Sequence, residues 1–362
     1  ALRPVSLTNN QPSVMNGGKD FCEWSKTDLL LASTIGPMVE KMLGKTGIGL
    51  VQTALGESTY EKGGDRFRVL SYLTKAQSQC QNNGIVEMAW VDTALQAKLA
   101  LATGDLDYAQ RLVAGTLRGI PPDSVPQLFD SIRAFGCWLK LYRNETEAIG
   151  QWLAQAPDET VEFCTLNRYL YMVKIYCYIA LGKHTDALVL LQRMLAYADY
   201  AQRTYFQMEC GVLSAIVLRR IGRPWKEEFL RLLGRIGEYH FVPILSEKGA
   251  AVLPLLTEVK SCFCAETPAQ RAWFGQVLEE TEHMARLYPN YLKGTGIDVS
   301  TFSDTALEVL RLQAAGRSTN EIAQQLHISP RTVKYHASEN YRKLQAKNMV
   351  DAVQIARSLN IL

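Results

Sequence analysis

Five breaks spaced by roughly 38 to 40 residues constrain this chain more than anything else in it. They fall at Gly63-Gly64, Gly104, Arg143-Asn144, Gly182 and Gly222, and each later break sits between two largely apolar helical runs. AKLALATGDLDYAQRLV, YCYIALGKHTDALVLLQ and AIVLRRIGRPWKEEFLRLL spell the relation out. In the first two, Ala109 and Ala187 stand five residues after the glycine, where a small side chain lets the helices of a hairpin cross closely. Glycine ends helices because it enters the left-handed backbone region without a Cβ penalty. One such hairpin cannot bury its apolar face alone, so a fixed period of hairpins predicts an α-solenoid.

The repeating pattern runs from about Lys62 to Leu256 and resembles the tetratricopeptide repeat, with a period longer than that repeat's roughly 34 residues. The expected class is all-α. Solenoids offer an extended concave surface, commonly lined by the first helix of each hairpin. On that basis Arg168, Tyr171, Gln207 and Glu209 are candidate ligand contacts, with the Tyr239 to Gly249 stretch as a loop at the solenoid end. The first sixty residues, with Pro4, Pro12, Asn9-Asn10 and Gly17-Gly18, read as connecting structure followed by helical patterns around Leu29 to Met42 and Gly49 to Leu55. The chain opens on Ala1, which suggests the C-terminal part of a longer protein.

At 47% hydrophobic residues the chain can bury a sizeable core, yet no apolar run reaches membrane-spanning length and no signal peptide opens it. A soluble cytoplasmic protein without membrane partners is expected. Eight cysteines at irregular spacing fit reduced thiols. Cys262 and Cys264 form a CxC pair, but His240 and His283 are each about twenty residues away, so ordinary thiols are expected there and no metal site. There is no Gly-rich phosphate loop followed by Lys-Ser/Thr and no nucleophile elbow. An enzyme is not expected.

The last 62 residues have a different character. They carry eight Lys and Arg against five Asp and Glu, whereas the preceding residues hold 31 of each sign, so the net +3 resides in this tail. Leu307, Val309, Leu310 and Leu312 stripe a first helix that ends at Ala315-Gly316. Ser318 and Glu321 form a capping-box pattern for a second helix, which carries Ile322, Ala323 and Leu326 inward. Ser329 and Pro330 start a third, with Val333, Ala337, Tyr341 and Leu344 at helical spacing. A fourth is expected from about Met349 to Leu359.

Two short helices joined by a tight turn, the second with a basic and polar face, describe a helix-turn-helix. Its second helix fits the major groove, which makes Lys334, Tyr335 and Ser338 candidate base readers. Arg331 lies on the same face. Thr332, Arg342, Lys343 and Lys347 are candidate phosphate contacts, as is the helix start at Ser318 and Thr319, because helix N-termini attract anions.

These residues also carry a family resemblance. Glu321-Ile322-Ala323, Ile328-Ser329, Thr332-Val333-Lys334, Lys343-Leu344 and Ala352-Val353 with Ala356 are similar to the LuxR-type four-helix DNA-binding domain of bacterial transcription regulators. The resemblance implies that the third helix enters the major groove and that Val353, Ala356 and Leu359 on the fourth make a dimer contact. Thr305-Ala306, Thr319, Asn348 and Ser338 depart from the usual pattern. Repeats followed by such a domain resemble the C-terminal part of the large ATP-dependent LuxR regulators typified by the maltose regulon activator. There the repeats bind an inducer, and ATP binds an NTPase module preceding them, so no cofactor is expected in this chain itself.

Four segments follow from this: a partial linking region over 1–60, a helical-repeat effector- or partner-binding domain over 61–262, a bridging helix and linker over 263–300, and the LuxR-type domain over 301–362. The expected function is sequence-specific binding of double-stranded DNA in transcription regulation, with an inducer or partner sensed by the repeats and self-association on DNA. The alternative is a protein-interaction scaffold with a DNA-tethering tail and no small-molecule sensing.

Overall fold

A computed structural model describes residues 8, 10–16, 20–22, 34–80, 86–120, 126–160, 163–293, 301–344, 346–358 and 362. Every regular element among them is helical, as expected. After α1 (Gly36–Leu43) come five hairpins: α2 (Leu50–Glu61) with α3 (Arg66–Cys80), α4 (Val86–Ala102) with α5 (Leu106–Gly119), α6 (Pro126–Leu141) with α7 (Thr146–Gln155), α8 (Arg168–Ala180) with α9 (His184–Tyr200), and α10 (Thr204–Arg220) with α11 (Lys226–Tyr239). Then follow α12 (Pro243–Ser246), α13 (Gly249–Val259) and α14 (Pro268–Leu287).

All five breaks form the inner turns of these hairpins, and all close in the same way. The N–H following the turn residue donates to the carbonyl five positions earlier: Gly64 to Thr59 (2.8 Å), Asp105 to Ala100 (3.0 Å), Glu145 to Lys140 (3.3 Å), Lys183 to Tyr178 (2.8 Å) and Arg223 to Leu218 (2.9 Å). This Schellman closure needs a left-handed residue. Gly104 supplies it at φ 87°, and where glycine is missing Asn144 takes φ 54°. Asparagine tolerates that region better than most side chains, so the third break needs no glycine.

The two helices of a hairpin are buried differently. Eleven of the 13 residues of α8 are buried, including Arg168 and Lys174. In α11 only Phe229, Leu232, Leu233, Ile236 and Gly237 are buried, a single stripe at helical spacing. The first helices therefore form an inner layer and the second helices an outer one. A large core runs through both, with Trp90 edge-on to Phe135 at 5.3 Å and Tyr142 stacked on Tyr291 at 4.0 Å.

The stack closes on itself. Val242, leading into α12, donates its N–H to Glu61 O in α2 (2.9 Å). Along α14 and just beyond it, Gln276 Nε2 reaches Gly63 O (2.7 Å), His283 Nε2 lies 3.0 Å from Ala102 O, and the Tyr288 hydroxyl donates to Leu101 O (2.9 Å). The expected bridge is thus, as far as Lys293, a helix packed against the turns of the first two hairpins; the rest of it, 294–300, lies outside the described residues.

Four shorter helices make the C-terminal unit: α15 (Asp304–Ala314), α16 (Thr319–Gln325), α17 (Pro330–Lys343) and α18 (Met349–Ser358). Val309, Leu312, Ile322, Ala323, Val333 and Ala337 pack the first three together. Phe302, Leu310, Leu344, Ala352 and Ala356 seat α18. Buried Asn340 ties α17 to α15 through Nδ2 donating to Ala306 O (2.7 Å).

Candidate nucleic-acid interface and interior cavity

Three serines start the helices of the C-terminal unit. Ser303 Oγ accepts from the Ala306 N–H (3.2 Å), Ser318 Oγ from Glu321 (3.4 Å) and Ser329 Oγ from Thr332 (3.1 Å). Glu321 returns the bond, accepting from the Ser318 N–H at 2.8 Å and completing the capping box. Those bonds hold the Glu321 carboxyl below its ordinary range. The turn between α16 and α17 is set by His327 in the left-handed region (φ 54°), with the Ile328 N–H donating to Ala323 O at 3.0 Å. Backbone geometry therefore fixes how α17 leaves α16, and Val333 and Ala337 fix which face of α17 turns inward.

The outward face carries Arg331, Lys334, Tyr335 and Ser338, all exposed, with Tyr335 63% exposed. An exposed tyrosine beside exposed cations is the composition a groove-reading helix needs, since its edge can bond a base or phosphate while its ring packs on sugar or methyl groups. Residues 300–356 match the family model described as bacterial regulatory proteins, luxR family. The C-terminal unit is a LuxR-family helix-turn-helix domain.

Similar segments occur in curated proteins. Transcriptional regulatory protein DesR of Bacillus subtilis (strain 168) is 29% identical over 96 residues, which are 26% of this chain and 47% of DesR. Uncharacterized transcriptional regulatory protein YvfU of the same organism is 45% identical over 49 residues, 14% of this chain and 24% of YvfU. The chain thus spans less than half the length of these relatives.

Ser318 is exposed and Thr319 half-buried, both at the start of α16. Thr332 is half-buried, its hydroxyl 2.8 Å from Ser329 Oγ. Arg342 is exposed but paired with Glu339 through Nε (3.2 Å) and a terminal guanidinium nitrogen (2.8 Å). Lys347 is exposed beyond α17. Lys343 is engaged inside the domain: its ammonium donates to Thr301 O (2.6 Å) and lies over the Phe302 ring at 5.2 Å. Among the proposed dimer residues, Ala356 is fully buried in its own domain's core, Val353 is half-buried and Leu359 lies outside the described residues.

The repeats hold a second feature, a cavity of about 90 Å³ at the centre of the inner layer. Each inner helix sends residues to it: Glu57 and Glu61 from α2, Lys98 from α4, Trp138 from α6, Tyr176 from α8, and Tyr205 and Glu209 from α10, with Glu247 and Lys248 closing the end. Residues 11–16 form part of the wall, held by Glu57, whose carboxylate accepts from the Val14 N–H (3.0 Å), the Met15 N–H (3.1 Å) and the Ser13 hydroxyl. Lys98 sits between Glu247 (3.2 Å) and Glu61 (3.8 Å), while Lys248 faces Glu209 at 3.8 Å. Three tyrosine hydroxyls donate to the same carboxylates, Tyr60 to Glu247 (2.8 Å), Tyr205 to Glu61 (2.9 Å) and Tyr176 to Glu209 (3.0 Å). Burial pushes the Glu61 carboxyl up to about 7, Lys98 opposing and Glu247 adding to the effect. Burial disfavours the Lys98 charge as well, but Glu247 and Glu61 outweigh it and hold that ammonium's pKa above its ordinary value.

Of the four candidate ligand contacts, Glu209 alone lines this cavity. Arg168 is buried behind the wall, where its guanidinium meets the Gln11 amide oxygen once that amide is oriented to satisfy both groups. Tyr171 is fully buried, stacked on Phe163 at 5.1 Å with its hydroxyl accepting from the Cys164 N–H (3.3 Å). Gln207 faces outward between Asp199 (2.8 Å) and Arg235 (2.9 Å). Helical phase explains the misplacement: Tyr171 and Gln207 are on the right helices but roughly a quarter to a half turn from the residues that line the cavity. Glu57, Glu61 and Lys98 were missed, although charges inside the apolar runs LVQTALGESTYE and TALQAKLALA are the signal that could have found them. No group of three or more potential metal-binding side chains occurs among the described residues, and Cys262 and Cys264 are exposed.

Proposed function

We propose that this chain is a sequence-specific DNA-binding transcription regulator whose helical-repeat domain senses a small molecule. The exposed face of α17 carries the reading: Arg331 and Lys334 have no side-chain partner among the described residues, and a capped, tightly packed scaffold holds them in place. Lys334, Tyr335 and Ser338 read bases, with Arg331, Thr332 and Lys347 on phosphates and the α16 start docking a phosphate at Ser318 and Thr319. Pairs of copies meet on DNA through α18, whose outward apolar residues are Met349 and Val350 beside Val353. The likeness to DesR and YvfU, both transcriptional regulatory proteins, supports this, as does the absence, among the described residues, of any helix long and apolar enough to cross a membrane. The place of action is then the bacterial cytoplasm.

A cavity of about 90 Å³ at the centre of the inner layer suits a small molecule, which favours sensing over the protein-scaffold alternative. Selection from random duplex DNA tests the reading, with the Lys334→Ala/Tyr335→Ala double variant as control. A motif enriched by the protein and lost in the double variant is expected. An unchanged motif would remove these residues as base readers, and no motif at all would remove the regulator. Lys347→Ala should weaken binding evenly across sequences and lower the salt slope by about one unit.

A further inference from the structure

The interior cavity is electrostatically unbalanced. Four carboxylates line it, from Glu57, Glu61, Glu209 and Glu247, against the ammoniums of Lys98 and Lys248 among the described residues. Lys98 is shared by two of those carboxylates, and among the described residues the hydrogen bonds to the Glu57 carboxylate come from neutral donors, two backbone N–H groups and a hydroxyl, with Lys98 acting on it only through space. Among the described residues the lining therefore carries two more formal negative charges than positive ones. Buried carboxylates in that position either bind protons or recruit cations, because the charged form is costly away from water.

A separate observation points the same way. Asn16 in the cavity wall is only 7% exposed, and its Oδ1 has no hydrogen-bond partner among the described residues. A buried carbonyl oxygen without a donor costs about 1–3 kcal/mol unless something else donates to it. The shared need of Asn16 and the carboxylates is a donor that also carries positive charge. Phe135, Trp138, Tyr169 and Met172 belong to the remaining wall, an apolar and aromatic flank that accepts a short hydrocarbon and, at the ring faces, a cation.

We propose that this cavity binds a small organic cation, a primary ammonium on a short apolar body, with its charged head among Glu57, Glu61 and Glu209 and its N–H groups reaching Asn16. This deepens the reading of the repeat domain as a sensor and rests on it. The ammonium replaces the proton that the pocket otherwise retains. Facing Glu61 are Glu247, Glu57 and Tyr205 as well as Lys98, so ligand entry drives proton release from this group of carboxylates.

Calorimetric titration of the full chain near pH 7 with n-butylammonium, n-butanol and butyrate as probes tests the proposal. Butylammonium is expected to bind, butanol at least about tenfold more weakly and butyrate not at all. Binding heats measured in buffers of different ionisation enthalpy should show protons leaving the protein. Glu209→Gln, which keeps the shape and the acceptor for Tyr176, should weaken butylammonium about tenfold or more; the proton-release measurement on the unaltered protein serves if that variant does not fold. Equal binding of butanol or butyrate, or no butylammonium binding, overturns the proposal. DNA selection with the same protein separates the two ideas. An enriched motif without ammonium preference removes the cation and leaves the regulator, whereas ammonium binding without any enriched motif removes the regulator and leaves the cation site.

Discussion

The repeat body and the C-terminal domain use charge in opposite ways. In the repeats, Glu57, Glu61, Lys98, Glu209, Glu247 and Lys248 turn inward to the centre of the stack, where burial makes each interaction strong and each imbalance costly. In the LuxR-type domain, Arg331, Lys334, Arg342 and Lys347 turn outward into water, and the interior is apolar apart from groups such as Asn340. The first arrangement suits a compact ligand that displaces water. The second suits a long polyanion approached from solvent, where mobile ions screen individual contacts and many are needed. Similar helices serve both ends because what differs is the face on which the charges sit.

The sharpest way to break this contrast is to remove Lys98. Lys98→Met leaves Glu61 and Glu247 buried without their shared cation and should destabilise the repeats by about 3–5 kcal/mol. Denaturant unfolding followed by tryptophan fluorescence measures it, since all six tryptophans lie before the C-terminal domain. A loss under about 1 kcal/mol would mean that the carboxylates simply protonate and that the interior charge is not held as described.

Acidity should act on the two regions with opposite sign. Glu61 has a folded pKa of about 7, above its unfolded value of 4.5, so the folded repeats bind more protons over that interval and gain stability as pH falls from about 7 towards 4.5. Asp92, buried with one carboxylate oxygen unpartnered among the described residues and likewise raised to about 7, adds in the same direction. Glu321 and Glu339 are held below their ordinary range, by the Ser318 N–H and by Arg342 respectively, so the C-terminal domain keeps their contribution above the unfolded value and loses it below. Thermal melts between about pH 7 and 4 should show the repeat transition rising first and the C-terminal transition falling later. Parallel movement of the two would refute the contrast.

The smallest effect concerns a cap. Ser318→Ala should cost the C-terminal domain about 1 kcal/mol and leave the repeats untouched, as read by amide exchange in α16.

What the sequence disclosed follows from which physics is local. Breaks at Gly63, Gly104, Asn144, Gly182 and Gly222 were legible because a Schellman turn is decided by one residue's backbone freedom. Ser318, Glu321, Ser329 and Pro330 announced their helix starts for the same reason: cap and partner lie three residues apart. The outward face of α17 could be read from its spacing. The cavity could not, because Glu61, Lys98, Glu209 and Glu247 come from distant parts of the chain and meet only when the stack closes. Neither could the partner of Lys343, whose ammonium reaches back to Thr301 across two helices.

The closure itself carries a mechanical consequence. Successive hairpins are joined by continuous chain, but the circuit is completed by non-covalent contacts alone, among them a clasp of hydrogen bonds where Gln276, His283 and Tyr288 grip Gly63, Ala102 and Leu101. Hydrogen bonds yield before covalent turns do. If the interior swells or contracts around an occupant, the slack collects at that clasp, and the helix that forms it is the last one before the chain leaves for the DNA-binding domain.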